Sequence, residues 1–279
     1  MKAYLVSIQI YFRIISFIAP SFAAKKGFKL FQKVRLKNIR QREEAFYQRV
    51  KTFEIPNEKE NIRAYETGNP NGELVLLVHG WESNAGSMSK LADKLAEEGK
   101  RVVLFDLPGH AFYKLEHTNL LECKNAMQKV LNHLNPEGRF SIVSHSFGSA
   151  VTAFCVRETN YSIDRLVFLT GPNKVENIFR EFQEVIKMGD RAYDRMVAHT
   201  EKLLGEPITN ISIERNLSLG NYGSLLLIHD KNDKVLPYFN SKEILGGVEN
   251  ASLETYEDVG HYRMLWNEDI IGRTAQYLS

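Results

Sequence analysis

A serine hydroxyl attacks a carbonyl at neutral pH only if an imidazole takes its proton and a carboxylate holds that imidazole in place. Ser146, in the run Ser144-His145-Ser146-Phe147-Gly148, is the serine best set up for this. The run follows an apolar stretch, 140–143, that reads as a strand, and precedes a helical stretch from about residue 149. A strand that turns abruptly into a helix exposes the hydroxyl at the turn. So tight a turn admits only small side chains two residues to either side, which Ser144 and Gly148 supply.

Two aspartates are placed to act as the acid. Asp230 and Asp233 lie just past the apolar run 224–229, and the candidate base, His261, follows Gly260 just past the run 252–256. The order along the chain is nucleophile, acid, base. The chemistry also needs donors for the oxyanion that forms on the attacked carbonyl. His79-Gly80-Trp81 closes the run 74–78, its glycine lets the chain turn inward, and the backbone N–H groups of Trp81 and Phe147 are the expected donors. Taken singly, Ser146 reads as a turn former, the aspartates as solvated loop charges and His261 as a helix-start residue. Taken together, groups at successive strand ends in one fixed order point to acyl transfer. His110, His145 and His229 are read as structural, and Asp106 as a loop-fixing acceptor.

The elements that must hold these groups alternate along the chain. Strands are expected at 74–78, 101–105, 140–143, 165–169, 224–229 and 252–256, with 63–66 as an antiparallel edge. Helices are expected near 87–98, 120–134, 149–157 and 261–277. Such alternation gives a mostly parallel sheet wrapped by helices, an α/β fold. The pattern breaks after Gly171-Pro172, where about fifty residues pass before the next strand. The helical spacing of Val175, Ile178, Phe179, Phe182, Val185 and Ile186 suggests a helical lid over the edge of the sheet, at about 173–220.

From about residue 60 to its end the chain resembles the α/β-hydrolase superfamily, in its serine esterase, lipase and acyl-hydrolase branch. The resemblance rests on His79-Gly80-Trp81, Asp106-Leu107-Pro108-Gly109-His110, Ser144–Gly148, the span from Asp233 to Pro237, and Gly260-His261, each at the family's place in the chain. It implies a catalytic domain over 60–279. It also implies Asp233 rather than Asp230 as the acid, because the family's acid commonly lies four residues before a proline. The chain departs from the family in having Ser144 where glycine is usual, and in following His110 with Ala111-Phe112-Tyr113 rather than Gly-x-Ser. The expected activity is hydrolysis of carboxylic esters, of lipid-like or medium-chain acyl type, by Ser146, His261 and Asp233, with Trp81 and Phe147 holding the oxyanion. The alternatives are a non-catalytic binding protein on the same fold and a membrane-surface scaffold.

The N-terminal residues, 1–50, read as a separate amphipathic, basic helical arm. Residues 1–42 hold ten Lys/Arg and no Asp/Glu, against 26 basic and 34 acidic residues in the remainder, a net of −8 there. On a helical wheel Lys2, Gln9, Arg13 and Ser16 form a narrow polar stripe, with Leu5, Ile8, Phe12, Ile15 and Ile18 on the remaining face. Either the arm covers an apolar face of the catalytic domain, or it meets an anionic membrane surface. No recognition motif for nucleic acid is interleaved in it. Ser21-Phe22-Ala23 resembles a signal cleavage site, which would make the protein exported. The positive charges just after the apolar run favour a catalytic part that faces the cytoplasm, attached to the inner face of a membrane if attached at all. Cys123 and Cys155 form no CxxC pair and the histidines have no metal-ligand spacing, so neither metal nor cofactor is expected.

Overall fold

The computed structural model describes residues 2–279. Two compact units emerge, one formed by 2–33 with Lys174–Ser212, the other by Val34–Asn173 with Ile213–Ser279.

The larger unit is built on an eight-stranded sheet. In chain order the strands are β1 (Lys51–Ile55), β2 (Ile62–Gly68), β3 (Leu74–Val78), β4 (Arg101–Phe105), β5 (Phe140–His145), β6 (Ile163–Leu169), β7 (Tyr222–Asp230) and β8 (Ala251–Tyr256). Across the sheet they run β1-β2-β4-β3-β5-β6-β7-β8. β1/β2 and β2/β4 pair antiparallel, and every other pair is parallel. β3, Leu-Val-Leu-Leu-Val, is buried at every position because both faces of a parallel sheet are covered. Leu74, Leu76 and Val78 enter one core with α5 (Leu120–Leu134) and α6 (Phe147–Val156). Val75 and Leu77 enter the other, with α3 (Gln41–Arg49), α4 (Ser89–Glu97) and α11 (Glu268–Leu278). Short α9 (Ile213–Ser218) and α10 (Phe239–Gly247) add Ile213, Leu217 and Ile244 to the first core.

Several elements differ from their expectation. The 63–66 strand is β2, and it is not the edge, because β1 pairs outside it. In β1 only Ile55 is buried, while Lys51 and Glu54 are exposed, so no period-2 signal marks it. β5 runs two residues past 143, with Ser144 and His145 both buried. The last helix starts at Glu268, where the Asn267 side chain accepts the Ile270 N–H as a cap, and a short 3-10 turn, Arg263–Trp266, precedes it. Of residues 1–50, the stretch after residue 33 carries no helix until α3, whose Phe46 is buried in the sheet unit.

In the smaller unit α1 (Lys2–Ile18) and α2 (Pro20–Phe31) pack with α7 (Val175–Ile186) and α8 (Asp190–Leu204). Pro20 at the first position of α2 forces the break between the first two helices. The small residues Ala23, Ala24 and Gly27 form the buried side of α2. α1 buries part of its polar stripe along with apolar residues: Ser16 is buried beside Phe12, and Gln9 Nε2 donates to the Val185 carbonyl at 2.8 Å. Among the described residues no helix is long and apolar enough to cross a membrane.

Candidate active site

Ser146 is the single residue between β5 and α6, at φ +53°, ψ −122°. A non-glycine residue there carries about 1–3 kcal/mol of backbone strain, which the surroundings must hold in place. The Ser146 N–H is shared between the Leu169 and Thr170 carbonyls, 3.2 Å each, and the Ser146 carbonyl accepts the Ser149 N–H at 2.9 Å. Steric closeness explains Gly148: a Cβ there would lie 2.5 Å from the Val78 oxygen and 2.6 Å from the His79 oxygen, both backbone. Ser144 is tied to the helix instead, its Oγ 2.6 Å from Thr152 Oγ1.

His261 sits in the turn after β8 and points both ring nitrogens at partners. Nε2 is 3.0 Å from Ser146 Oγ and Nδ1 is 2.8 Å from Asp233 Oδ2. The Asp233 carboxylate takes the Val235 and Leu236 N–H groups on Oδ1, at 2.7 and 3.0 Å. Its side chain is fully shielded and that of His261 only 3% exposed. Burial alone would raise the Asp233 pKa, but the His261 hydrogen bond, the imidazole's charge and the two amides outweigh it and hold the carboxyl below its ordinary value. It is therefore ionised at neutral pH and fixes Nδ1 as the protonated nitrogen, leaving Nε2 free to accept from Ser146.

Asp230, the other candidate acid, does not reach the imidazole. It is fully buried, accepts the Asn232 N–H at 2.8 Å on Oδ1, and accepts the Gly260 N–H on Oδ2. It thereby ties the loop that carries Asp233 to the turn that carries His261.

Gly80 lies against Ser146, where a Cβ would be 3.0 Å from Ser146 Cβ and 3.1 Å from His145 Nδ1. The Trp81 ring meets the Phe147 ring edge-on, centroids 5.2 Å apart. Among the described residues neither the Trp81 nor the Phe147 N–H donates a hydrogen bond within the protein. His79 braces this loop. Its Nε2 accepts the Leu107 N–H at 3.0 Å, so Nδ1 carries the proton and donates to the Gly80 carbonyl at 2.8 Å. Burial pushes its pKa well down and keeps it neutral.

His145 and His110 are likewise buried and internally bonded. His145 Nε2 donates to the His261 carbonyl at 2.9 Å, and His110 Nδ1 to the Pro108 carbonyl at 2.9 Å. Burial lowers them to about 3 and about 4 respectively. Asp106 accepts the Tyr65 hydroxyl at 2.7 Å and the Ala85 N–H at 2.9 Å, while burial lifts it to about 6. Burial also pushes the Cys123 and Cys155 thiols up to about 12, which leaves them inert at neutral pH. Among the described residues no three His, Cys, Asp or Glu side chains gather as metal ligands do.

One residue beside the site had no motif to announce it. Thr170, at φ +55°, directly follows β6 and precedes Gly171-Pro172, and its Oγ1 lies 3.4 Å from Asp233 Oδ2 and 3.0 Å from His229 Nε2. A β-branched residue at positive φ is an outlier that only a surrounding network sustains.

A family model described as alpha/beta hydrolase fold matches residues 73–195. A serine hydrolase-like protein of Dictyostelium discoideum is 26% identical over 108 residues, 35% of this chain and 28% of that protein, so the match spans well under half of that relative. Among solved structures, an esterase of Pyrococcus furiosus superposes with a TM-score of 0.64 at 18% identity, covering 88% of this chain and 95% of that one. The meta-cleavage product hydrolase of Pseudomonas fluorescens does so at 0.60 and 16%, covering 81% and 96%. At those identities the likeness is one of fold.

Proposed function

We propose that this chain, whose fold is that of the α/β hydrolases and whose residues 73–195 match the family model of that fold, is a serine hydrolase that cleaves carboxylic esters. The observation that carries this reading is the unbroken line from Ser146 Oγ through His261 to Asp233, at 3.0 and 2.8 Å. The hydrolase names of its relatives agree with it.

In the proposed reaction Ser146 Oγ attacks the ester carbonyl as its proton passes to His261 Nε2. The carbonyl π electrons move onto oxygen, and the Trp81 and Phe147 N–H groups, which donate to no partner among the described residues, bind that oxyanion. Collapse expels the alkoxide, which takes the proton from His261, and leaves an acyl group on Ser146. Water then attacks the acyl carbon with His261 again as base, and the acid departs as Ser146 regains its proton. Asp233 stays ionised throughout and steadies the imidazolium.

The acyl group is of medium-chain or lipid-like type, a reading supported by the exposed apolar residues of α1 and α2, which suit a lipid surface. The test is labelling with a fluorophosphonate, with hydrolysis of p-nitrophenyl esters of increasing chain length. Labelling and turnover that disappear in Ser146→Ala, with rates highest beyond the shortest esters, are expected. A folded wild type that neither labels nor hydrolyses any ester would overturn the reading.

A further inference from the structure

Helix α1 is apolar on both sides. Phe12 is buried, with Ile8 and Ile15 packed beside it. On a helical wheel Val6, Ile10, Ile14 and Phe17 fall within about 80° of arc on the opposite side, and all four are exposed, Phe17 at 89%. Ile18 at the helix end is 73% exposed, and Phe22 on α2 is also exposed. A folded protein in water rarely leaves a strip of this kind uncovered without a use for it.

The charge of the same two helices indicates what covers it. Residues 1–33 contain six Lys/Arg and no acidic residue, whereas the 174–212 half of the unit has six Lys/Arg and seven Asp/Glu. Lys25, Lys26 and Lys29 are exposed on α2, away from its buried Ala23, Ala24 and Gly27, and Lys26 Nζ stands 5.3 Å from the centre of the exposed Phe22 ring. A second copy of this face would set lysine against lysine. An anionic bilayer offers what both features need, acyl chains for the isoleucines and phenylalanines and phosphates for the lysines.

We propose that α1 and α2 dock flat on an anionic lipid bilayer, with Ile10, Ile14 and Phe17 dipping below the headgroups and Lys25, Lys26 and Lys29 at the phosphate level. The proposal is of docking on the surface: among the described residues no helix is long and apolar enough to cross a membrane. The inference stands independently of the reaction at Ser146.

The experiment is co-sedimentation of the full chain with vesicles of phosphatidylcholine alone and of phosphatidylcholine with phosphatidylglycerol, at low and high salt. Sedimentation with the phosphatidylglycerol vesicles that weakens as salt rises is expected. Replacing Lys25, Lys26 and Lys29 by serine should weaken it on the order of a hundredfold, since each basic residue near the surface contributes about fivefold. Ile14→Ser with Phe17→Ser should weaken it at least about tenfold. All five positions are exposed, so circular dichroism and melting should match wild type. The proposal is overturned if the chain ignores both vesicles, if it binds both equally and without regard to salt, or if either set of substitutions leaves binding intact. A dimer in light scattering that Phe17→Ser disperses, with no vesicle binding, would assign the face to a second copy instead.

Discussion

The Thr170 carbonyl accepts the Ser146 N–H at 3.2 Å while the Thr170 hydroxyl lies 3.4 Å from the Asp233 carboxylate, so one strained residue touches both ends of the serine–imidazole–carboxylate line. The backbone contact survives any substitution that keeps φ positive, and the hydroxyl contact does not. Thr170→Ala should lower kcat severalfold by loosening Asp233. Thr170→Gly should lower it equally but melt higher than the alanine variant, by the equivalent of about 1 kcal/mol, because glycine accepts positive φ without strain. Ester kinetics beside thermal melts of the two variants check this; equal melting points would mean that Thr170 is not strained.

The two buried aspartates should separate cleanly in function and stability. Asp233→Asn leaves the loop amides an oxygen acceptor but no longer fixes the imidazole tautomer, so kcat should drop about 10³–10⁴-fold with little change in melting. Asp230→Ala deprives the Asn232 and Gly260 amides of their acceptor in two part-buried hydrogen bonds and should cost about 1–3 kcal/mol, with a smaller loss of rate. A comparison of kcat and urea midpoints decides it, and the reverse pattern would make Asp230 the functional acid.

What could be read from the sequence follows what each feature asks of side chains. Ser146, Asp233 and His261 follow β5, β7 and β8, three of the runs legible as strands, so their convergence follows from strand order. β1 escaped because a solvated edge pairs through its backbone and buries one side chain, Ile55. Thr170 escaped for a similar reason: its hold on Ser146 is a carbonyl, which any residue possesses. The division of labour between Asp230 and Asp233 is likewise a matter of which amides face which carboxylate, and spacing alone does not encode that. α1 shows the opposite failure, its apolar period being plain while the choice of inward side depends on helices more than 150 residues away in sequence.

Stability should fall on mild acidification. His79, His110, His145 and His229 all have lowered pKa values, burial being the main cause. Above the unfolded value of about 6.5 they are neutral in both states. Below it the unfolded chain takes up protons that the folded chain refuses, so the folded state loses up to about 1.4 kcal/mol per histidine per pH unit. Asp106 works the other way: raised to about 6, it is protonated in the folded state first and offsets about one histidine. Asp233, with a lowered pKa, withdraws its contribution only as pH falls through that lower value. Urea midpoints should therefore be flat above about pH 7 and fall between about 6 and 4; a flat profile down to pH 5 would show that the folded histidines titrate.

Position 144 separates what the turn demands from what this chain adds. The superfamily usually has glycine there, so the backbone path through Ser146 needs no side chain at 144. Ser144 Oγ instead pairs with Thr152 Oγ1 at 2.6 Å, and the serine is fully buried. Ser144→Gly should thus preserve esterase turnover within a few fold. It should cost on the order of 1–2 kcal/mol, since Thr152 keeps a buried hydroxyl with its hydrogen-bond partner removed. Gly148→Ala should behave oppositely. Its Cβ meets two backbone carbonyls at 2.5 and 2.6 Å, and neither oxygen can yield without moving the end of β3 and the Gly80-Trp81 turn that follows it. Little folded protein, and no labelling of Ser146 in what folds, is expected. A soluble, fully active Gly148→Ala would mean that the elbow is looser than these contacts imply, and the strain at Ser146 with it.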